Sequence, residues 1–424
     1  MPQSVQRHIL CTFRTGSKPG GIIVNPVEQT VETPQTFQAG RVVTVASAHM
    51  LHDMYTSFLA PLLPVFMGSM ALSKTQAGLL MVFWQGPSLL QPLVGHLADR
   101  INLRYLVFLS PALAAVIMSM LGVAPNYAIV ALLLTVLGIS SASFHAVASV
   151  MAGNLSGRRL GLGTGLWMFG AEFGRTIGPL LVVTAIRLLT LRGLPWLMII
   201  GLLGATMLYI RLRDVPFRPA HTGEVLPWRQ ALKGMERLML PLVGIIVARA
   251  FVAAALSTYL PTFLREEGAD LWLAGASLSV YEAAGTVGAL LGGWLSDQLG
   301  RRTMLFISLV AAGPLMLLFL STNGWMRLLS LLLLGFAVLS NLGVIMAMVQ
   351  ESHPQNRALA NGVYLALAFL SNSGMSVIVG ALGDLFGLRL AFTAAAFAPL
   401  LGSALVLLLP RQNAQSALPQ QNQA

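Results

Sequence analysis

Charge is scarce in this sequence. Only 10% of its 424 residues are Asp, Glu, Lys or Arg, against roughly 25% in an ordinary soluble domain. The hydrophobic share is 56%, far more than a water-facing surface can carry, so the apolar surface has to be buried in lipid. Cysteine is almost missing. Cys11 stands alone, which excludes an intramolecular disulfide and a cysteine-based metal cluster. No nucleophile–base motif, phosphate loop or metal-ligand spacing is present, so neither an enzyme nor a resident metal or cofactor is expected. The glycine-rich GLGTG at 161–165 opens an apolar run, the wrong context for phosphate binding. The first 40 residues lack an apolar run of signal-peptide length. They read as a polar tail, as do residues 411–424.

What the chain does have is long apolar segments. A transmembrane helix needs about 20 such residues, and twelve candidates follow one another: 42–68, 75–97, 103–122, 126–151, 160–186, 194–212, 238–262, 272–296, 303–321, 326–349, 358–383 and 389–409. The runs are long and do not alternate, so helices rather than barrel strands are predicted. The formal charge of +11 reports topology. With both termini cytoplasmic, 18 of the 26 Lys and Arg fall on the inner side and six on the outer, the positive-inside distribution. Nucleic acid is therefore not an expected partner. A multi-pass protein of the cell inner membrane is expected, acting as a monomer.

One short loop is written twice. GHLADRINLR at Gly95–Arg104 and GWLSDQLGRR at Gly293–Arg302 share G-x-L-[AS]-D and end in basic residues, 198 positions apart. A second pair, SGRRLGLGTG at Ser156–Gly165 and PQNRALANG at Pro354–Gly362, repeats with nearly the same offset. The longest polar stretch, 214–237, lies between the copies. The reading is two six-helix bundles, 41–213 and 238–410, joined by a cytoplasmic linker. Duplicated bundles of this kind place a substrate site between the halves, and rocking gives alternating access. Gly95 and Gly293 would allow close helix approach. Asp99 and Asp297, with Arg100, Arg104, Arg301 and Arg302, would form charge-assisted contacts that latch the cytoplasmic side shut. The plain alternative is that these are only topology-setting loop charges.

From about residue 41 to 410 the chain resembles the major facilitator superfamily. The decapeptides match its loops between helices 2 and 3 and between helices 8 and 9. GAEFGRTIGP, with Gly170, Gly174, Gly178 and Pro179, looks like its helix-5 glycine motif. One departure stands out: the basic residue often found in helix 4 is replaced by Leu134, ahead of Gly138.

Two arginines and three acids lie well inside predicted helices: Arg175, Arg249, Asp53, Glu172 and Glu282. Each ionised group at a helix centre costs roughly 2.5–3.5 kcal/mol on insertion scales, so these groups should face an aqueous cavity or one another. Protonating one acid neutralises the set, which makes a carboxylate the expected proton carrier. His49 and Asp53 are i and i+4 on one face, and His52 lies at i+3 from His49. Histidine titrates near neutrality, which suits a relay; a structural polar cluster is the alternative. His145 could equally bond a backbone carbonyl. Arg175 is i+3 from Glu172, so an in-helix ion pair is available. Arg249 has no acid at i±3 or i±4 and needs a partner elsewhere: Glu282, or substrate. Trp84, Trp167, Phe169 and Tyr259 are candidates for the cavity wall, though packing or a place in the lipid-facing aromatic belt is the better explanation of each.

AHMLHDMYTSFLAPLLPVF at Ala48–Phe66 looks like the first helix of the fosmidomycin-resistance branch, matched here by His49, Asp53, Tyr55, Pro61 and Pro64. SFHAVAS at 143–149 resembles that branch's helix-4 H-P-E-A signature, with Ala146 and Val147 in place of proline and acid. The resemblance implies proton-coupled efflux of small drugs or metabolites. Two other readings stand beside it: an uptake symporter for a small organic anion, and a non-transporting membrane scaffold or sensor.

Overall fold

The computed structural model describes residues 36–98, 103–215, 236–352 and 357–409. Asp99, Arg100, the surroundings of Gly95, nearly all of the 214–237 linker, residues 1–35 and 410–424 lie outside what is described. What is described is helical, with no strand among the described residues. The helices are α1 (Ala39–Thr56), α2 (Leu59–Met70), α3 (Lys74–Gln85), α4 (Gln91–Ala98), α5 (Leu106–Met120), α6 (Tyr127–Ser156) and α7 (Leu160–Leu189). They continue with α8 (Leu197–Leu212), α9 (Glu236–Glu266), α10 (Leu271–Leu299), α11 (Arg301–Ser321), α12 (Gly324–Ser352), α13 (Arg357–Phe386) and α14 (Leu388–Val406). Among the described residues, nine helical stretches are individually long and apolar enough to cross a membrane.

The first two crossings differ from the unbroken helices predicted. The first is made by α1 and α2, parted at Ser57 and Phe58. Pro61 has no N–H to offer the Ser57 carbonyl, so the helical ladder is interrupted there. The second is made by α3 and α4, joined by a 3-10 segment at Gly86–Leu90 that contains Pro87. By contrast, α7 runs without a break through Pro179.

The duplication is visible in the packing. Gly138 of α6 lies against the Trp84 carbonyl, and Gly335 of α12 against the Tyr281 carbonyl. Both members of the second pair stand 197 residues after those of the first. The Ser110 hydroxyl donates to the Ser140 carbonyl at 3.2 Å, and the Ser308 hydroxyl to the Ala337 carbonyl at 2.7 Å, at almost the same offset. Between the halves, α3 packs on α13 and, symmetrically, α7 on α10, while α2 meets α9. These contacts close one end of the bundle and leave a cavity at its centre.

The helix-5 glycines bring α7 onto α1. A Cβ added at Gly170, Gly174 or Gly178 would collide with the carbonyl oxygen of Ala46, Met50 or Met54 respectively. Gly174→Ala should therefore lower the melting temperature of the purified protein, by the about 1–3 kcal/mol that overpacking costs. Gly165→Ala, which would face open space, should leave it unchanged or raise it, as helix propensity alone predicts.

The twin loops correct one expectation. Gly293 meets nothing within 4 Å; the close approach is made by its neighbour Gly292 against Ser340 of α12. Arg301 pairs with Asp297 at 2.5 Å and with Glu351 of α12 at 2.9 Å. The Arg302 guanidinium donates to the Leu407 carbonyl at 2.8 Å, and Arg104 to the Val215 carbonyl at 3.4 Å. These contacts lie within one half each, and those of Arg302 and Arg104 reach just past that half's sixth helix; Asp99 and Arg100, the other charges of the expected latch, lie outside the described residues. Gly300, at φ +88°, turns α10 into α11 through the left-handed region that glycine enters freely.

Candidate functional site

A central cavity of about 380 Å³ is lined by His49, Asp53, His145, Glu172, Arg175, Arg249 and Glu282 together. Helices α1, α2, α3, α4, α6 and α7 of the N-terminal half and α9, α10, α12 and α13 of the C-terminal half supply its wall. His52 sits behind this wall, fully buried. Of the aromatic candidates, Trp84 and Trp167 line the cavity. Phe169 instead stacks on Phe173 on the exposed face of α7, and Tyr259 is buried where the two halves meet.

Arg175 organises the site. Its Nη1 lies 3.3 Å from Asp53 Oδ2 on α1. Its Nη2 pairs with Glu172 Oε1 one turn back on α7. Its Nε lies 3.7 Å from Glu282 Oε2 on α10. One guanidinium thus serves three carboxylates from three helices, two in one half and one in the other. The planar fork of arginine suits such multi-point contact better than the point charge of lysine. The Arg249–Glu282 bridge that the sequence allowed is not formed, because Arg175 holds Glu282. Arg249 has no ion pair among the described residues, and its Nε is buried without a hydrogen-bond partner.

The histidines extend the cluster. His49 Nε2 lies 3.7 Å from Asp53 Oδ2, and His52 Nδ1 lies 2.9 Å from Asp53 Oδ1. His49 Nδ1 is 3.0 Å from the Trp167 carbonyl, and His145 Nδ1 is 2.8 Å from the Ser141 carbonyl. Carbonyls only accept, so both Nδ1 atoms donate. The two Nε2 atoms then face each other at 3.3 Å with a lone pair on each neutral ring. That contact is attractive only with a proton on its axis. His145, offered by the sequence as a lone histidine bonded to a carbonyl, is therefore both bonded to a carbonyl and joined to His49 across two helices.

Sequence spacing indicated no metal-ligand group, yet His49, Asp53 and His145 bring ligand atoms within 4.8 Å of one another. Arg175 already places a fixed positive charge on the same Asp53 oxygen, so the set has its counter-charge without an ion. The sequence reading also passed over Ser141, the Trp167 carbonyl and Tyr364. The first two act through geometry that no local spacing reveals. Tyr364 follows Gly362 of the second repeated segment by two residues, and that was the available signal.

The model of the Major Facilitator Superfamily matches residues 45–297 and 273–424. The chain belongs to the Major Facilitator Superfamily. Among curated superfamily members it is 25% identical over 377 residues to the Fosmidomycin resistance protein of Escherichia coli (strain K12), covering 86% of this chain and 91% of that protein. It is 26% identical over 394 residues to the uncharacterized MFS-type transporter YfnC of Bacillus subtilis (strain 168), covering 90% and 96%. Among solved structures, a bacterial homolog to the human lysosomal transporter Spinster, in an inward-facing and unoccupied conformation, superposes with a TM-score of 0.72 at 15% identity, covering 88% of this chain and 97% of that one. A D-xylose-proton symporter superposes at 0.71 with 16% identity, covering 88% and 98%. Like these superfamily members, the chain is a multi-pass membrane transporter for a small molecule, and it is not an enzyme.

Proposed function

We propose that this transporter exports a small molecule in exchange for entering protons, with both termini in the cytoplasm of a cell bounded by its inner membrane. One observation carries the reading. Three carboxylates, Asp53, Glu172 and Glu282, surround the single guanidinium of Arg175, an excess of negative charge that calls for a proton. The facing imidazoles of His49 and His145 offer a second proton position against Asp53. Glu282 belongs to the opposite half from Asp53 and Glu172, so protonation alters a contact between halves, as coupling requires. The likeness to the Fosmidomycin resistance protein supports efflux over uptake in this reading. Halves 41–213 and 238–410, hinged by 214–237, would rock about this cluster. The cavity is complete within one chain, which suits a monomer.

The test is transport in proteoliposomes under an imposed pH gradient. Expected is movement of substrate toward the acidic side, with proton release from the lumen on substrate addition. Asp53→Asn, Glu172→Gln and Glu282→Gln are each assayed, and at least one should transport without moving protons. Undiminished coupling in all three would remove the proton role of the cluster. Substrate and protons moving in the same direction would make the protein a symporter.

A further inference from the structure

Arg249 of α9 is 8% exposed, Tyr281 of α10 is 0% and Tyr364 of α13 is 2%. All three line the central cavity. Arg249 is within electrostatic reach of both hydroxyls. Arg249 Nε, the Tyr281 hydroxyl and the Tyr364 hydroxyl are each buried without a hydrogen-bond partner. Leaving one such group unsatisfied costs about 1–3 kcal/mol, and more for a charged group. Three of them, on three helices of the same half around one cavity, are a standing cost that a ligand would remove.

The chemistry of the missing ligand follows from the donors. A guanidinium and two neutral phenols supply N–H and O–H groups and a positive charge, and they call for an acceptor with negative charge and more than one oxygen. The other cavity arginine is not free for this role, since Arg175 is held by Asp53, Glu172 and Glu282. Much of the remaining wall, including Met81, Trp84, Met346 and Phe369, is apolar, with Gln85, Gln91 and Asn372 among its polar members. Resting on the transporter reading above, we infer that Arg249, Tyr281 and Tyr364 form an oxyanion-binding subsite, and that the transported molecule carries an anionic group with two or more oxygens, a carboxylate or a phosphorus oxyanion, on a largely apolar body. Anion and proton sites then share one cavity and meet at the adjacent Tyr281 and Glu282 of α10. A buried unpaired cation retained at a cost in stability is the signature of a binding residue.

The experiment uses the full chain in nanodiscs, with benzoate, phenylphosphonate and neutral benzamide as probes and thermal stabilisation as the readout. At least one of the two anions should stabilise the protein in a saturable way, with benzamide inert, and the better anion identifies the oxyanion. Arg249→Gln should abolish the shift, Tyr281→Phe and Tyr364→Phe should each weaken binding about tenfold, and Arg249→Lys should keep part of it. Without any probe, Arg249→Gln should melt at or above the wild type, because it removes an unpaired buried charge; a residue with a merely structural role would melt lower. The subsite is overturned if benzamide stabilises as well as the anions, if neither anion stabilises, or if Arg249→Gln responds like the wild type. Proton-driven transport of neutral or cationic compounds, with anions inert, would overturn the subsite and leave the transporter reading standing.

Discussion

Arg175→Gln is expected to produce the largest loss of stability of any single substitution in the cavity. Asp53, Glu172 and Glu282 are 5%, 3% and 6% exposed, and all three depend on the one guanidinium. Removing one member of a buried ion pair costs about 3–5 kcal/mol, because the partner remains buried and uncompensated. Here a single change strands three partners. The variant should express poorly and melt well below the wild type, with the deficit read by thermal unfolding in detergent. Two rescues separate electrostatics from lost packing. Adding Glu172→Gln removes one stranded charge and should recover part of the melting temperature. Lowering the pH protonates the carboxylates and should stabilise the variant while leaving the wild type little changed. Arg175→Lys should fold better than Arg175→Gln, yet an ammonium cannot span three helices at once, so transport should stay impaired. A melting temperature for Arg175→Gln equal to that of the wild type would show that the three acids do not depend on this residue.

The same residue shows how far sequence reasoning reaches. The Glu172–Arg175 pair was legible because i and i+3 share a helix face. The contacts to Asp53 and Glu282 were not, because they join residues 122 and 107 positions apart in the chain. Their existence depends on how α1, α7 and α10 pack. The apolar runs gave the twelve crossings, because lipid dictates their length. The breaks at Pro61 and Pro87 stayed hidden, since proline inside a membrane helix is equally compatible with continuation, as Pro179 shows. The loop repeat revealed the duplication. It did not say which half supplies the partner of each loop charge, because charge type alone does not decide that. Arg249 was conspicuous for lacking a local acid; its isolation within the fold became visible only once Glu282 was found on Arg175.

The second large effect concerns the closed end of the bundle. Asp384 of α13 accepts from the Lys74 backbone N–H at 2.8 Å, the Thr75 N–H at 2.9 Å and the Thr75 hydroxyl at 2.6 Å. It therefore binds the N-terminus of α3 from the other half of the molecule, where the helix dipole favours a negative charge. The Tyr259 hydroxyl donates to the Lys74 carbonyl at 2.7 Å, and Lys74 Nζ pairs with Glu266 at 2.9 Å. The Asp384 contacts join α13 to α3 across the two halves, so they belong to the conformation in which this end is closed. Ser73 remains the N-cap of α3, so Asp384→Ala removes the added hydrogen bonds to a charged group, a loss of about 1–2 kcal/mol. Asp384→Ala should thus shift the balance about five- to thirtyfold toward opening at this end, since 1.4 kcal/mol is a factor of ten. The measurement is labelling of Ala253→Cys, a cavity-lining position on α9, in a Cys11→Ser background, with a membrane-impermeant maleimide applied from each side in turn. Labelling from the Asp384 side should accelerate, and labelling from the side of the twin loops should slow. The paired change is the decisive part. General loosening of the fold would raise both rates, and an equilibrium indifferent to Asp384 would move neither. Only a rocking bundle whose sealed state this carboxylate stabilises moves them in opposite directions.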